Sequence, residues 1–319
     1  MGTEPTAMNQ TDWRTRRVAG IGIVGLDHVA VTDRWERDTK STATHYFEQV
    51  GGPVPVALMA MARLGLDELP LIAGSVGEDG AGEKVHWLLS GDVDTSLVYL
   101  YFYNCSTPHS IVVLNMSDGT RTLTNWNDSS LPTLTREQIG GMRGCGLLHV
   151  DGRDITAILE TVSLLREYET IVSLDLGSFR EEKARLFPEC DIIIASKVAS
   201  SGAFPGCPDD PIEQAKRFLA HGATVAGVTL GADGVVIGCR DENGGEPVHL
   251  PAFNVENVVD TCGAGDLFHG AFLWAYREGK SVIESATFAQ AAVALRIQCY
   301  GNVAGQPTRE QVESFLAQQ

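Results

Sequence analysis

Residues 258–272, "VVDTCGAGDLFHGAF", set a carboxylate behind three small residues at a place where a helix must begin. Leu267, Phe268, Ala271, Phe272 and Ala275 recur at helical spacing, so the first turn falls at Gly263 to Asp266 and its amide N–H groups lack intrahelical acceptors. Those donors and the positive end of the helix dipole make an anion site, and glycines let a phosphate approach the backbone closely. Asp266 stands beside any phosphoryl group bound there and can accept a proton from an attacking hydroxyl. Phosphoryl transfer needs positioning, charge stabilisation and a group that orients the nucleophile. One turn therefore offers Asp266 as base and the Gly263, Ala264 and Gly265 amides as anion hole. The plainer alternative is that Asp266 only caps the helix.

The elements that must position this turn are legible as periodicity. "VAGIGIVGLDHVAV" reads as one long buried strand, "VPVALMAMARLG" as a buried helix closed by Gly65, "LPLIAGSVG" as a strand and "GAGEKVHWLLSG" as a short amphipathic helix. From "SLVYLYFYN" to "TRTLTNW" the pattern alternates, with Asp118-Gly119 as a hairpin signal. From "GLLHV" onward strands and helices alternate through "ETIVSLDL", "DIIIAS", "ATVAGVTLGADGVVIG" and "SATFAQAAVALRIQ". Strand alternating with helix implies an α/β doubly wound parallel sheet covered on both faces. The expected boundaries are a disordered tail over 1–17, one domain over 18–319, and a small β lid drawn from about 30–50 and 97–127.

The chain has 319 residues, 44% of them hydrophobic, enough for a large core. A formal net charge of -17 argues against nucleic acid or an anionic membrane surface as partner, and the apolar runs fall short of a bilayer span. Seven cysteines with no CxxC pair indicate neither a zinc site nor a disulfide framework; they read as reduced thiols of a cytoplasmic protein, and no residue is assigned to a metal. Gly20, Gly22 and Gly25 satisfy the dinucleotide fingerprint G-x-G-x-x-G, but strand-like "LDHVAV" follows where a helix should open, so close packing of a central strand is the better reading. A P-loop sequence is absent. Tyr99, Tyr101 and Tyr103 fall on one strand face and suit a core or an interface. His28 and His45 suit packed or surface positions.

"DTCGAGDLFHGAF" resembles the D-T-x-G-A-G-D signature of the ribokinase-like (PfkB-type) carbohydrate kinases, and further stretches follow in family order. "GLDHVAV" resembles the family's first strand with its sugar-binding aspartate, here Asp27. "VGGPVPVALMAMARLG" is similar to the Gly-Gly substrate segment, here Gly51 and Gly52. "GSVGEDGAGEKV" resembles G-x-V-G-x-D-x-x-G, "TLGADGVVI" the nucleotide-binding T-x-G-x-x-G, and "GQPTREQVESFL" the C-terminal helix. The similarity spans residues 18–318.

Within the family, "HVDGRD", "DGTRTLTNWNDSSLP" and "IASKVASS" resemble ketohexokinase, while "YFEQVGGPVPVALMAMARLG" and "GAGDLFHGA" resemble sulfofructose kinase at least as strongly. The resemblance implies ATP-dependent phosphorylation of the primary hydroxyl of a ketohexose or an anionic, sulfofructose-like derivative. Asp27, Gly51, Gly52, Asn125 and Arg153 would contact the sugar; Thr229, Gly231, Gly234, Ser196 and Lys197 would contact the nucleotide. Magnesium would rest on ATP phosphates and water, with Asp175 as a distant helper, and a monovalent cation (K+) is implied near the "YGNVAG" loop. Lid pairing implies a homodimer. Pro53 and Pro55 stand in the matching stretch where relatives have a sugar-binding asparagine, and Ser196 and Ala199 replace the family's N-x-x-E element. The alternatives are a nucleoside or ribose kinase of the same fold, a non-catalytic sugar or nucleotide sensor, and, on the glycine fingerprint alone, an NAD-dependent oxidoreductase.

Overall fold

The structure, a computed structural model, describes residues 12–101, 105–117, 120–127, 133–207 and 209–319. In chain order the strands are β1 (Val18–Ile21), β2 (Gly25–Thr32), β3 (His45–Gly51), β4 (Leu71–Gly77), β5 (Asp94–Tyr101), β6 (His109–Asn115), β7 (Thr120–Trp126), β8 (Leu147–Val150), β9 (Ile171–Leu176), β10 (Ile192–Ser196), β11 (Val225–Thr229), β12 (Val235–Cys239) and β13 (Val248–Leu250). The α-helices are α1 (Pro53–Gly65), α2 (Gly80–Leu89), α3 (Arg136–Gly141), α4 (Ile155–Leu165), α5 (Lys197–Ala203), α6 (Pro211–Ala220), α7 (Ala264–Arg277), α8 (Val282–Arg296) and α9 (Arg309–Leu316).

Among the described residues, nine strands form one sheet in the order β13-β12-β11-β10-β9-β8-β1-β4-β5. Pairing is parallel from β5 to β11 and antiparallel at β12 and β13. Strands such as "IIIAS" and "VAGVT" are apolar without alternation because helices cover both sheet faces. One face packs residues of α1, α2, α7, α8 and α9 around Val54, Leu58, Phe272, Trp274 and Phe288. The other packs α4, α5 and α6 around Ile158, Phe187, Ala199 and Phe218. The expected doubly wound sheet is therefore the scaffold.

A second sheet, β3-β2-β6-β7, forms the lid. Its inner face buries Val29, Val31, Val112 and Leu114 against Cys262 of the glycine-rich turn. This packing ties the lid directly to the anion-site segment.

Several boundaries differ from the sequence reading. "VAGIGIVGLDHVAV" is two strands in different sheets, β1 and β2, broken between Ile21 and Gly25. The lid thus begins at Gly25, and β5 is the edge of the main sheet rather than a lid strand. Hydrophobic content is the same in both settings, so periodicity cannot assign the sheet. Residues 12–17, expected within a disordered tail, are folded: Trp13 lies 6.0 Å, ring to ring, from Tyr276, and Arg17 pairs with Asp94. The Asp118-Gly119 turn and Tyr103 lie outside the described residues, although β6 and β7 pair antiparallel on either side of that turn. Gly20 and Gly22 do pack tightly, since an added Cβ would lie 2.4 and 2.6 Å from Val54 methyl carbons of α1. The cysteines are free thiols. No helix among the described residues is long and apolar enough to cross a membrane.

Candidate active site

The carboxyl ends of β8 and β9, the loop 260–263 and the lid converge as crevices do in open α/β sheets. They enclose a cavity of about 540 Å³. Asp266, Gly263, Ala264, Gly265, Asp27, Gly51, Gly52, Asn125 and Arg153 all line it. These nine span the chain from residue 27 to residue 266 and were named from separate stretches of sequence.

Gly263 caps α7 with φ 73°, a left-handed conformation, and an added Cβ would lie 2.5 Å from Asn302 Cβ. Only glycine suits both constraints. The first intrahelical bond is Leu267 N–H to Gly263 O at 2.9 Å. The Ala264 amide is turned to Thr261 O at 3.3 Å, so the Gly265 and Asp266 amides are the donors that helix geometry leaves open. Around Gly265 a Cβ would meet open space, which leaves room for a tetrahedral anion.

The loop preceding α7 is fixed by a buried ion pair. Asp260 Oδ2 lies 3.2 Å from Arg296 Nη2, both side chains being fully buried, and Arg296 also donates to Asp260 O. The same carboxylate accepts from Cys262 N at 2.8 Å and Gly301 N at 3.0 Å. Asn302 then continues the frame, donating through Nδ2 to Val50 O at 3.0 Å and through its amide to Gln49 Oε1 at 2.8 Å. The anion turn, the 299–302 loop and lid strand β3 are one hydrogen-bonded unit.

Asp27 projects from β2, opposite Gln49 on β3 and Ser110 on β6. Its carboxylate occupies the space above Gly51, where a Cβ would lie 2.2 Å from Oδ1. Burial raises the Asp27 pKa, opposed by hydrogen bonds from Ser110 and Gln49. Burial also raises that of Asp266, with repulsion from Asp175 and Asp27 adding to it, and places it at about 8. Asp266 is half-buried and opens onto the cavity; the upward direction follows from three carboxylates crowding one space. Asp266 is thus a carboxylate with raised proton affinity beside free amide donors.

The model of the pfkB family carbohydrate kinases matches residues 15–309. The chain belongs to the pfkB family of carbohydrate kinases. As a family member it is a phosphotransferase with an alcohol group as acceptor. Ribokinase of Bacillus subtilis is 26% identical over 309 residues, covering 95% of this chain and 100% of the relative. Ketohexokinase of Mus musculus is 26% identical over 295 residues, covering 86% and 93%. Among solved structures, Arabidopsis thaliana ribokinase complexed with ribose and ATP superposes with a TM-score of 0.78 at 25% identity, covering 94% of this chain and 98% of the other.

The five residues of this kinase expected at the nucleotide do not line the cavity. Ser196 and Thr229 are register partners at the ends of β10 and β11, and Thr229 Oγ1 donates to Ala195 O at 3.4 Å. Ser196 caps α5 and donates to Gly177 O at 2.9 Å, and Gly177 is in the cavity wall. Lys197 pairs with Asp209 at 3.3 Å. Gly231 and Gly234 have φ of 63° and 95° in the turn after β11. This group lies beyond one rim of the cavity, along the same sheet edge.

Other wall residues escaped the sequence reading. Asp151 directly follows β8 and accepts from Ile23 N and Arg153 N, each at 2.8 Å; its carbonyl accepts from Lys183 Nζ at 2.8 Å. Burial raises its pKa and lowers that of Lys183, the latter opposed by Asp151 and Asp175. Arg121, on lid strand β7, donates to Thr261 Oγ1 and so bridges lid and anion turn. Arg180 completes a set of four cations with Arg121, Arg153 and Lys183. "HVDGRD" contained a signal for Asp151, a carboxylate just past a strand end. Arg121 and Lys183 carried none, because only tertiary folding brings them here. His28 and His45 lie outside the cavity; His28 is 3.0 Å from Tyr46 Oη and 3.0 Å from Nδ1 of His109, which itself reaches the cavity wall.

Proposed function

We propose that this kinase transfers the terminal phosphoryl group of ATP to the primary hydroxyl of a ketohexose or an anionic ketohexose derivative, fructose-like or sulfofructose-like. The reading rests on one observation: Asp266 at the α7 turn and Asp27 on the lid face a single cavity whose wall carries Arg121, Arg153, Arg180 and Lys183. In this reading Asp27 accepts hydrogen bonds from sugar hydroxyls, and Gly51 and Gly52 let the ring lie close to the backbone. Asn125 and Arg153 orient the distal end, where a guanidinium fork matches a tetrahedral oxyanion.

Asp266 takes the hydroxyl proton as the sugar oxygen bonds to the terminal phosphorus and the bond to the ADP oxygen breaks. The open amides of the α7 turn, those of Gly265 and Asp266, stabilise charge on the group in flight. Magnesium, carried on the phosphates and water, supplies further charge neutralisation when bound. The nucleotide follows the sheet edge from the α7 turn toward Thr229, Gly231, Gly234, Ser196 and Lys197. A monovalent cation beside residues 299–305 belongs to the same proposal, and the bond from Gly301 N to Asp260 holds that loop against the anion turn. So does a homodimer through the lid, whose outer face exposes Tyr46 (62%), Ile111 (59%) and Trp126 (51%).

Ribokinases among the relatives favour a second reading, a ribose or nucleoside kinase. ADP release from MgATP against fructose, sulfofructose, fructose phosphates, tagatose, ribose and adenosine separates the two. Turnover of a ketose, with Arg153→Ala raising KM for the anionic sugar far more than for fructose, is the expected result. Turnover of ribose or adenosine without any ketose would overturn the ketohexose assignment.

A further inference from the structure

Asp175, near the end of β9, meets two histidines from other elements, His149 of β8 and His269 of α7. All three are buried, and one ligand-capable atom of each lies within 4.8 Å of the others. His269 Nε2 is 3.4 Å from Asp175 Oδ2, and the two imidazole centroids are 5.5 Å apart. Ser173 Oγ lies 3.2 Å from His149 Nδ1. In the tautomer that donates to Ser173, His149 Nε2 keeps its lone pair and faces the interior. His149 Nε2, His269 Nδ1 and Asp175 Oδ2 are buried polar atoms without a hydrogen-bond partner in the protein. His149 Nε2 and Asp175 Oδ2 thus lack a partner beside the His269 nitrogen nearest Asp175, and buried polar groups in folded proteins are ordinarily satisfied.

We propose that His149, His269 and Asp175 form a buried site for one divalent transition-metal ion. Two imidazoles and one carboxylate suit Zn²⁺, Mn²⁺, Fe²⁺ or Co²⁺; Mg²⁺ takes oxygen donors and keeps its waters, so the site is chemically distinct from that of a nucleotide-borne magnesium. Ser173 supplies the outer hydrogen bond that ordinarily fixes a ligating histidine. Metal–nitrogen distances of 2.0–2.1 Å put tetrahedral ligands roughly 3.4 Å apart, so donors that lie within 4.8 Å of one another need to draw together by about 1.4 Å at most. Asp175 also lines the main cavity, which supplies an entry path and space for a water ligand. An ion held here joins β8, β9 and α7, and His269 stands three positions after Asp266 on α7. Its role is to fix the α7 turn against the strand ends.

The test uses full-length protein stripped with a chelator and titrated with Co²⁺, without nucleotide or magnesium, following visible d–d absorption. One Co²⁺ per chain is expected, displaced by Zn²⁺ and not by excess Mg²⁺. His149→Gln and His269→Gln should each weaken binding by about tenfold or more, with circular dichroism verifying the fold, while Asp266→Asn retains the ion. The wild-type titration stands even where a variant fails to fold. Absence of stoichiometric Co²⁺ or Zn²⁺ binding, as expected if the triad holds only a water, would overturn the proposal. Binding that survives in both folded histidine variants would do the same.

Discussion

Arg296→Met removes the cation that anchors the anion turn while keeping an unbranched apolar stem. Arg296 and Asp260 are both fully buried and 3.2 Å apart, so the variant leaves a carboxylate in the interior without its counter-charge. Breaking such a pair from one side costs about 3–5 kcal/mol. Two amide donors, Cys262 N and Gly301 N, still reach Asp260, which puts the expected loss toward about 3 kcal/mol. At about 1.5 °C per kcal/mol for a chain of this length, the melting temperature should drop by about 4–5 °C. Urea unfolding of both proteins measures the loss, and replacing Asp260 with Asn in the same chain should recover part of it by removing the stranded charge. A drop under about 2 °C, or a double variant worse than the sum of the singles, would refute the reasoning.

Gly263→Ala forces a Cβ to within 2.5 Å of Asn302 at a positive φ; a loss of about 1–2 kcal/mol from the backbone alone is expected in urea, with a larger fall in kcat than in sugar affinity. The raised Asp266 pKa predicts that kcat/KM climbs with pH toward about 8, because the base works only when ionised; a pH profile that is flat from 5 to 9 (~ordinary carboxylate behaviour) would contradict it. Since the native state holds that proton more tightly than the unfolded chain, its stabilising effect is full below the ordinary aspartate range and is lost as pH rises through the folded value. Asp266→Asn should therefore be more stable than wild type at alkaline pH, by on the order of 1 kcal/mol given its contact with solvent, and the difference should vanish in acid.

Much of the fold was legible because parallel strands covered on both faces read as continuous apolar runs, and "DIIIAS" or "VAGVT" admit little else. The glycine-rich turn was legible for a different reason: the helical spacing after Asp266 fixed where the free amides had to be. What failed was assignment between sheets. Val18–Ile21 and Gly25–Thr32 are equally β-branched, yet the chain leaves one sheet and enters another within three residues. Likewise β5 pairs with β4 in the main sheet, not with the lid. Arg121 and Lys183 illustrate the limit for sites. Each reaches the cavity from an element with no local mark of chemistry, and only long-range packing shows that four cations face the carboxylates.

The central claim is that Asp266 accepts the acceptor's proton at the α7 turn. ADP release under saturating MgATP and sugar, compared between wild type and Asp266→Asn with nucleotide binding measured in parallel, tests it most directly. The expected result is a fall in kcat on the order of 10³-fold with ATP affinity retained. A variant that keeps kcat within about tenfold of wild type, below the range for loss of a general base, would contradict it.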